Sequence, residues 1–253
     1  MKATILLAVV FFCEGLCVAQ SQIVQPDSEK DGALEKMAKQ LEVRFALSAL
    51  PPHLRDAATV YVLDPQAGYV LDTSGANGFS CIVERTEWAR VDFRSDIYTA
   101  LCYDEEESKN QLRVYMDTAS MRAKGMSPDQ VKSAIAARFS EGTYAAPKRA
   151  GLSYMLAPIM RTYPSPDVSD RTLNTWSMPH FMIYAPNVTD KDIGGARPPS
   201  QFPFIFEQGP QGYMIFMLGQ QEAQKLVSDS KNLLSDLCAY RSVLCLGRAG
   251  GHE

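Results

Sequence analysis

Thr59-Val60-Tyr61-Val62-Leu63-Asp64-Pro65-Gln66-Ala67-Gly68-Tyr69-Val70-Leu71 is the stretch on which the fold turns. Two short runs of β-branched, aromatic and aliphatic residues flank a segment in which Pro65 pre-sets a turn and Gly68 supplies the freedom to close it, so the stretch predicts a β-hairpin. A third strand, Phe79 to Val83, follows the turn Ser74-Gly75-Ala76-Asn77-Gly78 and carries Cys81 in its middle. The economical arrangement is a meander of three antiparallel strands.

Outward from this sheet the period changes. Between Asp31 and Leu50, Leu34, Met37, Leu41 and Phe45 recur at helical spacing with charged residues between them, and Pro51-Pro52 ends the run. Asp104 to Met121 has helical composition, with Leu112, Tyr115, Met116 and Ala119 on one face and Glu105 to Glu107 at the positive end of the helix dipole. Ser127-Pro128-Asp129-Gln130 is a capping box with proline at the first helical position, opening a helix that runs to Gly142.

The second half alternates strands with long loops. Strands are predicted at Leu152 to Leu156, Met178 to Tyr184, Phe202 to Phe206 and Tyr213 to Leu218, the last two forming a hairpin. The loops Arg161 to Ser177 and Ala185 to Gln201 exceed ordinary connections, and loops of that kind are often functional. A final helix spans Gln221 to about Tyr240. The expectation is one α+β domain over residues 20–253, an antiparallel sheet of about six strands with N-terminal, central and C-terminal helices packed on it.

The chain begins with the layout of a secretory signal peptide over residues 1–19: Lys2, an apolar run from Ile5 to Phe12, and small residues at Val18-Ala19. That run is about half the ~20 residues a membrane span requires, so the mature chain is expected to lack a transmembrane segment. A net charge of -4, with 46% hydrophobic and 21% charged residues, gives no basic field for nucleic acid. Cys81, Cys102, Cys238 and Cys245 remain after cleavage, an even number in a chain bound for an oxidising compartment, and are expected to form disulfides. Three connectivities are open, and proximity favours Cys81 with Cys102 and Cys238 with Cys245. Seven residues along an unbroken helix separate Cα atoms by ~10 Å, so the second pair requires the helix to end near Tyr240.

No nucleophile elbow, phosphate loop, dinucleotide fingerprint or metalloprotease helix occurs in the sequence. The strongest polar candidates for acid–base or metal-assisted chemistry are His180, inside a strand, with Asp104 and Glu105 at a helix start, and His53 in Pro51-Pro52-His53-Leu54. Each has an ordinary structural use as well, in sheet hydrogen bonding, helix capping or a local turn. No cysteine spacing suits zinc, and no cofactor is expected. Tyr154, Met155, Met160, Met178, Met182, Met214 and Met217 crowd adaptable side chains into the second half, a composition suited to apolar ligands as well as to a core.

The segments Ala46-Leu47-Ser48-Ala49-Leu50-Pro51, Asn77-Gly78-Phe79-Ser80-Cys81, Cys102-Tyr103-Asp104-Glu105, Tyr154-Met155-Leu156 and Pro179-His180-Phe181-Met182-Ile183 occur in an order that resembles a group of uncharacterised secreted bacterial proteins. The resemblance implies a periplasmic or extracellular location and implies that Cys81 and Cys102 form a unit. It carries no activity. The expected function is therefore a non-catalytic periplasmic or secreted binding domain, with a small apolar ligand or an envelope protein as partner. The alternatives are a hydrolase using His180 with Asp104 and Glu105, and an envelope structural or interaction protein.

Overall fold

The computed structural model describes residues 32–195 and 202–247; the expected signal peptide lies outside them. The elements run α1 (Lys39–Ser48), a 3-10 turn (Pro52–Ala57), β1 (Thr59–Asp64), β2 (Gly68–Thr73), β3 (Ser80–Glu84), β4 (Thr99–Tyr103), α2 (Glu105–Ser108), α3 (Gln111–Ala123), α4 (Pro128–Ser140), β5 (Gly151–Met155), β6 (Met160–Thr162), β7 (Asn174–Trp176), β8 (His180–Tyr184), β9 (Phe204–Glu207), β10 (Tyr213–Met217), α5 (Gln220–Asp229), α6 (Lys231–Tyr240) and a closing 3-10 turn (Ser242–Leu244). The α+β class stands, but the sheet has eight strands in the order β2-β1-β3-β4-β5-β8-β10-β9 and is mixed, with β6 and β7 pairing separately.

The hairpin of β1 and β2 forms in antiparallel register, Asp64 opposite Gly68. The expected meander does not. β3 lies beside β1, parallel to it, with Thr59 opposite Ser80 and Val60 opposite Cys81. After β2 the chain crosses beneath the start of β1: the Ala76 and Asn77 amides donate to the Ala57 carbonyl, the Gly75 amide to Thr59 Oγ1, and Asn77 Nδ2 to the Leu54 carbonyl. The crossing is so close that a Cβ at residue 75 would sit 2.2 Å from the Ala57 oxygen, which is why glycine stands there.

β4 has no counterpart in the sequence reading, because all five of its residues are buried and nothing alternates. It pairs antiparallel with β3, placing Cys81 directly opposite Cys102, and the two form a disulfide with Cα atoms 4.1 Å apart. Cys238 and Cys245 are also bonded, with α6 ending at Tyr240 between them.

Three expected helices are shorter or divided. Residues 32–38 are not helical; the Gly32 and Glu35 carbonyls instead accept from the guanidinium groups of Arg122 and Arg85. The helix expected from Asp104 to Met121 breaks at Asn110, whose side-chain amide bonds the Glu106 carbonyl and competes with continued helix. The last helix divides at Ser230. The capping box at Ser127 forms as expected.

α1 and α6 cover one face of the sheet, enclosing Phe45, Val60, Val83, Ala100, Leu237 and the Cys81–Cys102 bridge. The opposite face carries Ile82, Leu101, Tyr103, Met155, Met182, Tyr184 and Ile215, with Leu112 of α3 packed on it. α4 packs on α3 through Val131 and Ile135. No helix among the described residues is long and apolar enough to cross a membrane.

The Cys81–Cys102 bridge closes a loop of 21 residues inside the core. Replacing both with alanine is expected to lower unfolding stability by ~3 kcal/mol, read from urea midpoints without reductant; an unchanged midpoint would show that the bridge does not constrain the unfolded chain.

Candidate functional site

The face of the sheet away from α1 and α6 is not filled by helices alone. Over β4, β5, β8 and β10 lies a cavity of about 430 Å³. Strand register explains its floor. Leu101 belongs to the same pleat face as Tyr103, which lies opposite Ser153, and Met155 lies opposite His180. Met182 faces Ile215, and Tyr184 faces Tyr213. Successive side chains alternate between faces, so these residues share one side while Tyr154, Phe181 and Phe216 stack on the other.

The walls come from irregular chain held by buried arginines. Between β3 and β4, residues 85–98 contribute Glu87, Trp88 and Arg90 to the cavity. Arg85, 2% exposed, secures the start of that segment by donating to the Ile97 and Ser95 carbonyls and the Tyr98 hydroxyl. The long loop after β6 brings Tyr163, Pro164 and Pro166 to the opposite wall. Arg90 donates to the Ser165, Asp167 and Asp170 carbonyls and lies 4.1 Å over the Tyr163 ring. Asp96 accepts from both Arg94 and Arg161 and fixes β6 against β4. α3 and α4 add Gln111, Tyr115 and Phe139.

His180 lines the cavity and is 2% exposed. Its Nδ1 lies 2.7 Å from the Met178 carbonyl, which can only accept, so Nδ1 carries the proton and Nε2 is the unprotonated nitrogen. Burial lowers its pKa to about 4, despite the favourable bond to Met178, and the ring is neutral at pH 7.

The other residues singled out in the sequence lie elsewhere. Asp104 caps α2, one oxygen accepting from the Glu107 amide at 2.9 Å and the other from the Leu152 amide at 3.1 Å. Leu152 and the partner of His180, Met155, are three residues apart on β5, ~10 Å of strand. Glu105 is exposed and pairs with Lys109 at 2.8 Å. His53 is exposed on the 3-10 turn beside α1. The four are not assembled into one site, and the described residues hold no group of three or more His, Cys, Asp or Glu able to bind a metal ion.

Of the methionines, Met155, Met160, Met178 and Met182 line the cavity. The sequence reading missed three acids. Glu84, 5% exposed, sits on β3 opposite Thr99 on the cavity side. Burial first, and then Glu87, hold its carboxyl well above the usual range. Burial also raises Glu87, which lines the wall. Glu207, exposed at the rim, is raised to about 7 by partial loss of solvent on its cavity side and then by Glu87. Residues 84, 87 and 207 form no motif in sequence; only the fold brings them together.

Glu107, on α2, is fully buried against Gly151, where a Cβ would meet its Oε1 at 2.2 Å, and among the described residues neither carboxyl oxygen has a hydrogen-bond partner of normal geometry. Burial, with Asp104 and Glu106, raises its pKa to about 8. Comparison of the chain with family models, with curated proteins and with solved structures found no match.

An acid whose folded pKa lies above its unfolded value of 4.5 adds stability at low pH and loses it as pH rises through about 8. Glu107→Gln is therefore expected to gain stability relative to the parent by on the order of a few kcal/mol between about pH 5 and about pH 8. Urea midpoints across that range check it; a constant difference would show that Glu107 does not titrate in the folded protein over that range.

Proposed function

We propose that this chain is an exported, non-catalytic binding domain whose ligand is a small, largely apolar molecule seated in the cavity over β4, β5, β8 and β10. The observation that carries this reading is the cavity itself. At about 430 Å³ it falls within the ~300–1,000 Å³ of small-molecule sites, and its floor is aliphatic, sulfur-bearing and aromatic. Thr99, a residue of that floor, is buried with a hydroxyl that has no hydrogen-bond partner among the described residues. Two disulfides and the expected signal peptide support export.

A hydrolase built on His180 with Asp104 and Glu105 draws less support. Asp104 already serves two backbone amides, Glu105 pairs with Lys109, and His180 is neutral with no carboxylate bonded to its Nδ1.

Both tryptophans of the chain, Trp88 and Trp176, line the cavity and report on its occupancy. N-phenyl-1-naphthylamine, a neutral apolar fluorophore, is expected to bind one-to-one and to take up energy from them. Ala89→Phe, which fills the wall beside Trp88, is expected to weaken binding by about tenfold or more with the far-UV circular dichroism unchanged. Absence of saturable binding, or equal binding by the variant, would overturn the reading.

A further inference from the structure

The charge around the cavity is unbalanced. Glu87 and Glu207 line it, and Glu84 stands immediately behind, in register with Thr99. Among the described residues that line the cavity Arg90 is the only cationic side chain; it holds Glu87 down in part, but it is also engaged by three carbonyls and the face of Tyr163. Among the described residues Glu87 accepts a hydrogen bond from the Ala89 amide at 2.9 Å. The acids act on the same rings: Glu207, Glu87 and Glu84 all raise Tyr213, and Glu84 and Glu87 both raise Tyr115, after burial has done so.

A cluster of acids alone would be a solvated surface or a structural accident. Here a second feature lies beside it: Thr99 is 2% exposed, its hydroxyl has no partner among the described residues, and it forms part of the cavity floor. His180 adds a neutral ring whose Nε2 is an acceptor. Aromatic faces border the same space, with Trp88 and Phe139 5.9 Å apart and Phe206 and Tyr213 5.8 Å apart. Aromatic faces and carboxylates attract the same kind of group, a positive charge on an organic body. Its arrival would give the carboxylates that face one another across the cavity a paired positive charge.

We propose that the ligand is an organic cation, an ammonium group on an apolar body, with its charged head held between Glu87 and Glu207 and its body over the methionine and tyrosine floor. The proposal rests on the cavity being a ligand site, and the test separates the two. The mature protein loaded with N-phenyl-1-naphthylamine is titrated with three competitors of one shape: 2-naphthylmethylammonium, 2-naphthalenemethanol and 2-naphthoate. The ammonium is expected to displace the probe at about one-tenth the concentration the alcohol needs, and the carboxylate is expected to be weakest.

In the Glu87→Gln/Glu207→Gln variant the advantage of the ammonium over the alcohol should vanish while the probe still binds. Should that variant fail to fold, Glu207→Gln alone, at the rim, should remove part of the advantage. An alcohol that competes as well as the ammonium against a normally bound probe would overturn the cation and leave the apolar site standing. A probe that never binds would overturn both.

Discussion

The pleat of four neighbouring strands is the constraint from which the rest of the molecule follows. Because β4, β5, β8 and β10 are in register, their alternate side chains divide between two faces with no mixing. One face takes Cys102 and Ala100 into the core beneath α1. The other takes Leu101, Met155, Met182 and Ile215, and among the described residues α3 packs on that face through Leu112 and Tyr115. A slip of one residue in β8 would move His180, Met182 and Tyr184 to the far face and replace the cavity floor with Phe181 and Ile183.

The walls of the cavity are made differently. Residues 85–98 and the loop after β6 have little regular structure, so their backbone groups need partners other than a ladder or a helix. Buried guanidinium groups supply them. Arg85, Arg90 and Arg122 together bind carbonyls of Gly32 and Glu35, of the segment after β3 and of the loop after β6, and Arg94 and Arg161 share Asp96. The planar, multi-donor head of arginine suits this role, because one side chain can satisfy several carbonyls at once. The loops are thereby fixed, and the tryptophan, tyrosine and glutamate they carry are held toward the sheet. Preorganisation of this kind lowers the cost of ordering a site when a ligand enters.

What the sequence disclosed and what it hid have separate physical causes. β5 and β8 alternate buried and half-buried residues, and their strands were legible for that reason. β4 is buried throughout and carries no period. The parallel pairing of β1 and β3 was hidden because the turn at Ser74 to Gly78 marks a reversal without saying on which side of the hairpin the chain returns; close backbone contact at Gly75 decides that. The disulfides followed from cysteine parity and spacing, and the end of α6 at Tyr240 from the reach of a disulfide. His180 and the methionines could be singled out by residue type. Glu84, Glu87 and Glu207 could not, since ordinary acidic residues acquire significance only through the place the fold gives them. The carbonyl partners of Arg90 were equally invisible, because a backbone oxygen leaves no mark on the residue type.

The cavity is most directly probed through its own methionines. With the methionine methyl groups labelled with carbon-13, the protein is titrated with 2-naphthylmethylammonium, and each methyl is followed by its proton–carbon correlation. Ring currents from a naphthyl group in the cavity shift Met155, Met160, Met178 and Met182 together, while Met37 and Met121, buried in the other two cores, remain in place. Saturating ligand that leaves those four methyls unmoved, or that moves Met37 and Met121 in their stead, contradicts the assignment of the cavity as the binding site.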